Sequence, residues 1–367
     1  MKRVWLKCVM GVALLVIMGS MSFSAHAASK VLSNPRQVAT NFGYEKQTQW
    51  DLVQFGTYNY KPIMWRVLKV NGNDVFLMSE GVMFKSSFYS KSGPTSWEKS
   101  GIRSYLNAGM GFLTSFNSTE LKYIKKTKVY NSYKTQSGYA AQNSTIDQLY
   151  LPSVAEVTNT SFGFKRALDE DVGRCTPAFN NPQESAAWLL RTVGKGQNTT
   201  CVVSTQSCGD ILFGDMEEEE PNTGYVYAKT YDIRPVLHLN IQKTGICKYV
   251  GTVVAKGRKT IVKPVNVISS VALAPKKTAI TYCRNNKKKT VTVKWKKISG
   301  VKGYQVVYAK NKAFTKAKKT KTVTSRSLAL KKLRKGTYYF KVRCYRLYNK
   351  KKIYSGYTTV RTVRVKK

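Results

Sequence analysis

Apolar and polar positions alternate in three runs near the end of the chain. Val291, Val293 and Trp295 alternate with Thr292, Lys294 and Lys296. Tyr304, Val306 and Tyr308 alternate with Gln305, Val307 and Ala309. Tyr338, Phe340, Val342 and Cys344 alternate with Tyr339, Lys341 and Arg343. A period of two sends successive side chains to opposite faces, so each run predicts a strand with one apolar face. Ser299-Gly300, Lys335-Gly336 and Ser355-Gly356 supply turns between them. Short strands at this spacing within about 100 residues predict an antiparallel sandwich, its core drawing on Trp295, Tyr304, Tyr338 and Val342.

The earlier part of the chain has a mixed pattern. "YKPIMWRVLKV", the turn Asn71-Gly72-Asn73-Asp74, and "VFLMSEGVM" predict two strands around a tight Asn-Gly turn. The stretch "SWEKSGIRSYLNAGMGFLTSFNSTELKYIKKT" predicts helix, break, helix, with Ser100 capping the first segment and Ser118 or Thr119 the second. Ser153 is placed to cap a helix within "DQLYLPSVAEV". "AAWLLRT", the run through Cys201 and Val203, "YVYAK" and "IRPVLHLNI" read as strands. Strands at both ends with helices between them predict an α+β domain.

Charge divides the chain where pattern does. The formal net charge is +43, and Asp232 is the last acidic residue. From Ile233 to Lys367 there are 38 Lys or Arg and no Asp or Glu; from Ala28 to Asp232 there are 21 basic and 19 acidic residues. So large an asymmetry points to two modules with different tasks. The start of the chain carries Lys2, Arg3 and Lys7, an apolar run from Cys8 to Phe23, and Ala25-His26-Ala27. This is the pattern of a cleaved export signal, so the expected location is secreted or cell-wall associated, with no membrane span after cleavage. The resulting division is a signal at 1–27, an α+β domain at 28–245, a linker at 246–270 that can hold a short hairpin, and the sandwich at 271–367.

The Trp295 strand, "GYQVVYA" and "LKKLRKGTYYFKVRCYR" resemble a fibronectin type III domain, an all-β immunoglobulin-like sandwich. The resemblance matches Trp295 to the family's strand-B tryptophan, and Leu333 and Tyr338 to its core leucine and corner tyrosine. It fixes a fold and no ligand. "PIMWRVL", "SWEKSGIRSYLN", "STIDQLYLPSVAEV", "WLLRT" and "IRPVLHL" resemble an uncharacterised exported domain of Gram-positive bacteria. That domain is in turn similar to the C-type-lectin and sulfatase-modifying-factor architecture, which implies paired terminal strands and no transferable activity.

Arg103, Arg191 and Arg234 stand among apolar neighbours, where a guanidinium needs partners. Asp147 and Glu156 are the candidate carboxylates, so these five residues are expected to form a buried polar network, the rival reading being a pocket for an anionic ligand. Catalytic signatures are lacking: the mature chain has one histidine, His238, and no CxxC, HExxH or glycine-rich phosphate loop. Cys201 and Cys208 are near enough in sequence to close a hairpin with a disulfide, but do not reproduce the cysteine pair of sulfatase-modifying enzymes. Glu220-Pro221-Asn222 spells the tripeptide with which mannose-type lectins hold calcium, and Asp215, Glu220 and Asn222 are the candidate ligands. The downstream Trp-Asn-Asp of that pattern does not follow. No cofactor is expected.

The expectation is a non-enzymatic binding or adhesion protein. Its cationic sandwich associates with an anionic wall or surface polymer, and its first module presents a recognition surface for carbohydrate or another surface protein. Export, and aromatics falling on the inward phase, argue against nucleic acid. The rival readings are calcium-dependent sugar binding through the Glu220 loop and an uncharacterised extracellular enzyme.

Overall fold

The computed structural model describes residues 29–39, 46–89, 96–131, 143–175, 187–194, 199–204, 209–213, 230–254, 258–287, 289–348 and 350–366. The expected export signal and the "YVYAK" strand lie outside them. In chain order the first module has strands β1 (Ser29–Lys30), β2 (Arg36–Val38), β3 (Gln47–Tyr58), β4 (Lys61–Asn71), β5 (Asp74–Ser79), β6 (Phe84–Ser86), β7 (Thr127–Val129), β8 (Thr145–Asp147), β9 (Leu149–Tyr150), β10 (Trp188–Val193), β11 (Thr200–Ser204), β12 (Asp210–Leu212), β13 (Tyr231–Ile233), β14 (Val236–Asn240), β15 (Lys248–Val254) and β16 (Lys259–Val267).

A nine-stranded sheet runs β1-β16-β15-β3-β4-β5-β14-β9, with β2 added on β3. A second sheet of five strands runs β12-β11-β10-β13-β6, and β7 pairs with β8. One apolar cluster joins the two large sheets, with Trp50, Trp65, Trp97 and Trp188 fully buried in it. The sequence motifs 61–71 and 74–79 form β4 and β5 around Gly72 and Asn73, and Gly72 takes φ +63°, where a Cβ would strain the backbone. Both faces of β5 are covered from Val75 to Ser79, so its residues do not alternate.

The expected α+β composition gives way to a mostly β architecture. Among the described residues of this module the α-helices are α1 (Gly101–Asn107), α2 (Ser118–Leu121) and α3 (Val154–Val157), of seven, four and four residues. Segments this short draw their stability from packing and caps rather than from helix propagation. Ser100 caps α1, accepting from the Arg103 amide at 3.2 Å, and Ser153 caps α3 in a capping box with Glu156. The α2 cap is Asn117 rather than Ser118 or Thr119. Its side chain accepts from the Thr119 and Glu120 amides, while Glu120 returns a carboxylate to the Asn117 amide at 2.9 Å.

The stretch 246–270 is not a linker. β15 lies between β3 and β16 in the nine-stranded sheet, and Cys247, Val250, Val253 and Val267 join the first core. The register shifts at Gly251, which has φ +139°, and a Cβ there would sit 2.0 Å from the Thr260 carbonyl oxygen. A β-bulge at glycine turns the hairpin onto the sheet. The sequence reading failed here because punctuation by Gly and Pro marks a bulge and an edge strand as readily as a linker.

After a short helix α4 (Ser270–Leu273) come β17 (Ile280–Lys287), β18 (Thr290–Trp295), β19 (Gly303–Ala309), β20 (Lys319–Val323), β21 (Ser327–Leu330), β22 (Gly336–Tyr348), β23 (Lys351–Tyr354) and β24 (Arg361–Val365). A three-stranded sheet, β17-β18-β21, faces a five-stranded one, β20-β19-β22-β23 with β24 on β22. Trp295, Tyr304, Leu333, Tyr338 and Val342 all lie in the core between them. The outer face is less simple than alternation implies. Val307 and Ala309 are buried there under Phe314, with Tyr339 and Tyr357 alongside. Arg343 lies 3.8 Å from the Tyr354 ring centroid and 4.6 Å from that of Tyr357, so some aromatics face outward. The Tyr338 hydroxyl donates to the Arg334 carbonyl at 3.2 Å. Tyr338→Phe is expected to lower the stability of the sandwich by about 1 kcal/mol, read from the urea midpoint.

Candidate functional site

Three arginines with no solvent exposure, Arg66, Arg174 and Arg234, lie between the two large sheets and the 165–174 segment. Arg66 on β4 meets Glu80 in a two-point ion pair, Nε to Oε2 at 2.9 Å and Nη2 to Oε1 at 3.2 Å, and donates to the Gly173 carbonyl at 2.6 Å. Its guanidinium stacks 4.4 Å over Trp50. Arg234 donates to the carbonyls of Ser79, Arg174 and Glu80 at 2.7, 3.2 and 3.3 Å. Arg174 holds the carbonyls of Val157, Lys165, Ala167, Leu168 and Gly209. Burial pushes the Arg234 pKa down, and the neighbouring Arg66 adds to this, leaving it at about 9. These arginines fasten irregular backbone, and every side-chain nitrogen they carry has an acceptor. That is an internal scaffold, not a pocket.

The five residues expected to share a network divide into separate places. Arg103 on α1 pairs with Asp147 at 2.8 Å, and that carboxylate also accepts from Trp97 Nε1 at 2.9 Å and the Thr145 hydroxyl at 2.6 Å. Arg191 on β10 pairs with Glu156 at 2.5 Å. Arg234 joins neither carboxylate; it belongs to the Arg66–Glu80 cluster. Arg66 carried the same signal as the three singled out, a lone arginine among apolar neighbours. Arg174 and Glu80 lie in segments with no periodicity to flag them.

Between β7, α3 and β10 lies a cleft of about 330 Å³. Lys128, Tyr130, Asn131, Tyr150, Glu156, Arg191 and His238 are among the residues that line it. A second hollow of about 240 Å³ adjoins it and shares Glu156 and His238. His238 has a partner that its sequence neighbourhood does not reveal: Nδ1 lies 2.9 Å from Asp74 Oδ1, and Lys125 binds the other oxygen of that carboxylate. The antiparallel pairing of β5 with β14 brings them together across 164 residues. Among the described residues no serine, threonine or cysteine hydrogen-bonds the imidazole.

Burial raises the Asp74 pKa, but the hydrogen bonds from His238 and Lys125 outweigh it and hold the carboxyl below its ordinary value. Glu80, likewise raised by burial, is brought down by Arg66. A carboxylate lowered on folding adds stability above its unfolded pKa of about 4, and loses it as pH falls through the folded value. Residues 271–367 contain no Asp, Glu or His. Calorimetry of the chain is therefore expected to show two transitions. The first-module transition falls by several degrees between about pH 5 and pH 3, and the sandwich transition stays within about 2 °C. A single transition, or equal acid sensitivity of both, is the contrary result.

Asp215, Glu220, Asn222 and Cys208 lie outside the described residues. Cys201 is buried on β11 with Sγ 3.4 Å from the Val193 carbonyl, and burial alone raises its thiol pKa steeply. Among the described residues no three of His, Cys, Asp and Glu gather as a metal site, and no helix is long and apolar enough to cross a membrane.

Residues 72–241 match the family model described as Domain of unknown function (DUF6273). The match begins at the β4–β5 turn, so β1 to β4 before it and β15 and β16 after it complete a sheet that the family model covers only in part. Among solved structures the chain is similar to an Fn3-like protein from Clostridium thermocellum, at 17% identity over 26% of this chain and 96% of that one, with a TM-score of 0.21. It is also similar to the FN1–FN3 domains of chicken CNTN1, at 12% identity over 50% of this chain and 64% of that one, with a TM-score of 0.25. No curated protein matches.

Proposed function

We propose that this is an exported, non-enzymatic binding protein whose cationic sandwich holds it on an anionic wall or surface polymer while the first module presents a recognition site. The observation that carries the reading is the placement of charge. Every described lysine from Lys276 to Lys366 is exposed except Lys341, and no acidic side chain of the sandwich neutralises any of them. Such a surface attracts polyanions from all sides and repels copies of itself. Lys319 and Lys321 lie along the exposed strand β20, where charge also blocks edge-to-edge pairing. A domain that needed only solubility would serve with mixed charge, as the first module does. Retention of the mature chain on immobilised polyphosphate and on wall material stripped of its anionic polymer tests the reading. Binding to the first and not the second is expected; equal retention on both would overturn it.

A further inference from the structure

We infer that the outer face of the five-stranded sheet of the sandwich seats one extended phosphodiester strand, a polyol phosphate without bases, on a row of cations held by aromatic rings. This rests on the charge half of the proposed function and gives that charge a place on the surface.

Rings and cations follow one another along this face. Lys341 on β22 lies over Phe314 and Tyr357, 4.1 and 4.4 Å from their ring centroids. Arg343, two residues on, lies over Tyr354 and Tyr357 at 3.8 and 4.6 Å. Tyr354 packs against Tyr345 at 5.6 Å, and Lys352 on β23 lies 4.9 Å over the Tyr345 ring. Lys341 and Arg343 point outward because Phe340, Val342 and Cys344, which alternate with them, fill the core.

No anion of the sandwich neutralises this row. Arg343 donates Nε to Gln305 Oε1 at 2.8 Å, but its Nη atoms have no acceptor among the described residues, and neither has Lys341 Nζ. Both side chains are partly exposed, and these nitrogens reach solvent. A free surface lysine loses rotamer freedom when it binds a partner. Cations already placed by rings have less to lose, so the row binds more tightly than the same charge elsewhere on the surface.

The spacing selects the occupant. Lys341 and Arg343 are one pleat apart, about 6.8 Å along the strand. Phosphorus atoms joined through a three-carbon polyol are separated by as many bonds as the two Cα atoms, so an extended polymer of that kind keeps step with β22. Its charge lies in its own backbone, so binding orders no side chains of the polymer. Each phosphate can accept the paired Nη donors of Arg343. Nucleic acid shares that repeat but relies on stacking its bases on bare aromatic faces. Here Tyr354 and Tyr357 carry cations on theirs.

The test is calorimetric titration of the full mature chain with a synthetic glycerol-phosphate oligomer at about 150 mM salt. The variant Lys341→Gln, Arg343→Gln is compared with Lys294→Gln, Lys296→Gln, which removes the same charge at the same spacing from the other sheet. Of that second pair only Lys294 meets a ring, Tyr282 at 5.7 Å. The first variant is expected to lose about tenfold more affinity than the second. Lys352→Gln, whose side chain is exposed and leaves the fold intact, is expected to lose about threefold, and it decides the matter if the double variant does not fold. Equal losses in the two double variants, no loss in Lys352→Gln, or equally tight binding of a single-stranded oligonucleotide or of polyglutamate of the same charge would overturn the inference. Equal losses would leave the charge-based role standing, whereas absence of polyphosphate retention in the parent would sink that role itself.

Discussion

Glu80→Gln is expected to destabilise the first module by about 3–5 kcal/mol, enough to leave much of it unfolded at 37 °C. The substitution keeps the shape of the side chain and removes its charge. Arg66 loses its two-point partner, and both Arg66 and Arg234 stay buried with only carbonyl dipoles and indole faces around them. Burial makes this severe: a guanidinium that cannot reach water has no other source of compensation. Urea unfolding followed by the fluorescence of the buried tryptophans is the measurement. The double variant Glu80→Gln, Arg66→Met is expected to recover part of the loss, because it removes an uncompensated charge along with its former partner. A loss under about 1 kcal/mol in the single variant would mean that the carbonyls alone support the arginines.

The second large effect is on binding. Residues 271–367 hold 31 Lys or Arg and no Asp or Glu. If six or more of them neutralise charges on a polyanion, affinity falls about 10³-fold or more between 50 and 200 mM salt through counterion release. The slope of log affinity against log salt counts the contacts. Reversing Lys319 and Lys321 to Glu on the edge strand β20 is expected to lower that slope in magnitude and leave the fold intact, since both side chains are exposed. A slope near zero would exclude a charge-held surface role. Salt is also expected to stabilise the sandwich itself by screening repulsion among the lysines.

Much of the sandwich can be read from the chain without coordinates. Its strands run with period two, so Trp295, Tyr304, Tyr338 and Val342 declare their inward side, and the lack of carboxylates after Asp232 declares its charge. The strands without clean alternation, β17 and β20 among them, are not legible in that way. Nor is the outward cluster of Phe314, Tyr339 and Tyr357, because Val307 and Ala309 follow the alternation and are still covered. In the first module the turn at Gly72 and the caps at Ser100 and Ser153 are local signals that the structure repeats. β3, the longest strand there, is buried along most of its middle and shows no period to read. The hairpin at 248–267 was obscured because only its pairing with β3 makes it part of a sheet.

The site follows the same division. Lone arginines in apolar runs advertise that partners exist, and Asp147 and Glu156 could be named as the carboxylates for two of them. Which arginine meets which carboxylate depends on chain segments that are 35 to 44 residues apart in sequence. The sequence by itself determined what depends on one residue and its near neighbours: charge, strand period, caps and turns. Only the tertiary structure decided the Arg66–Glu80 pairing and the Asp74–His238 contact, because hydrogen-bond satisfaction depends on distances between remote segments that no local pattern encodes.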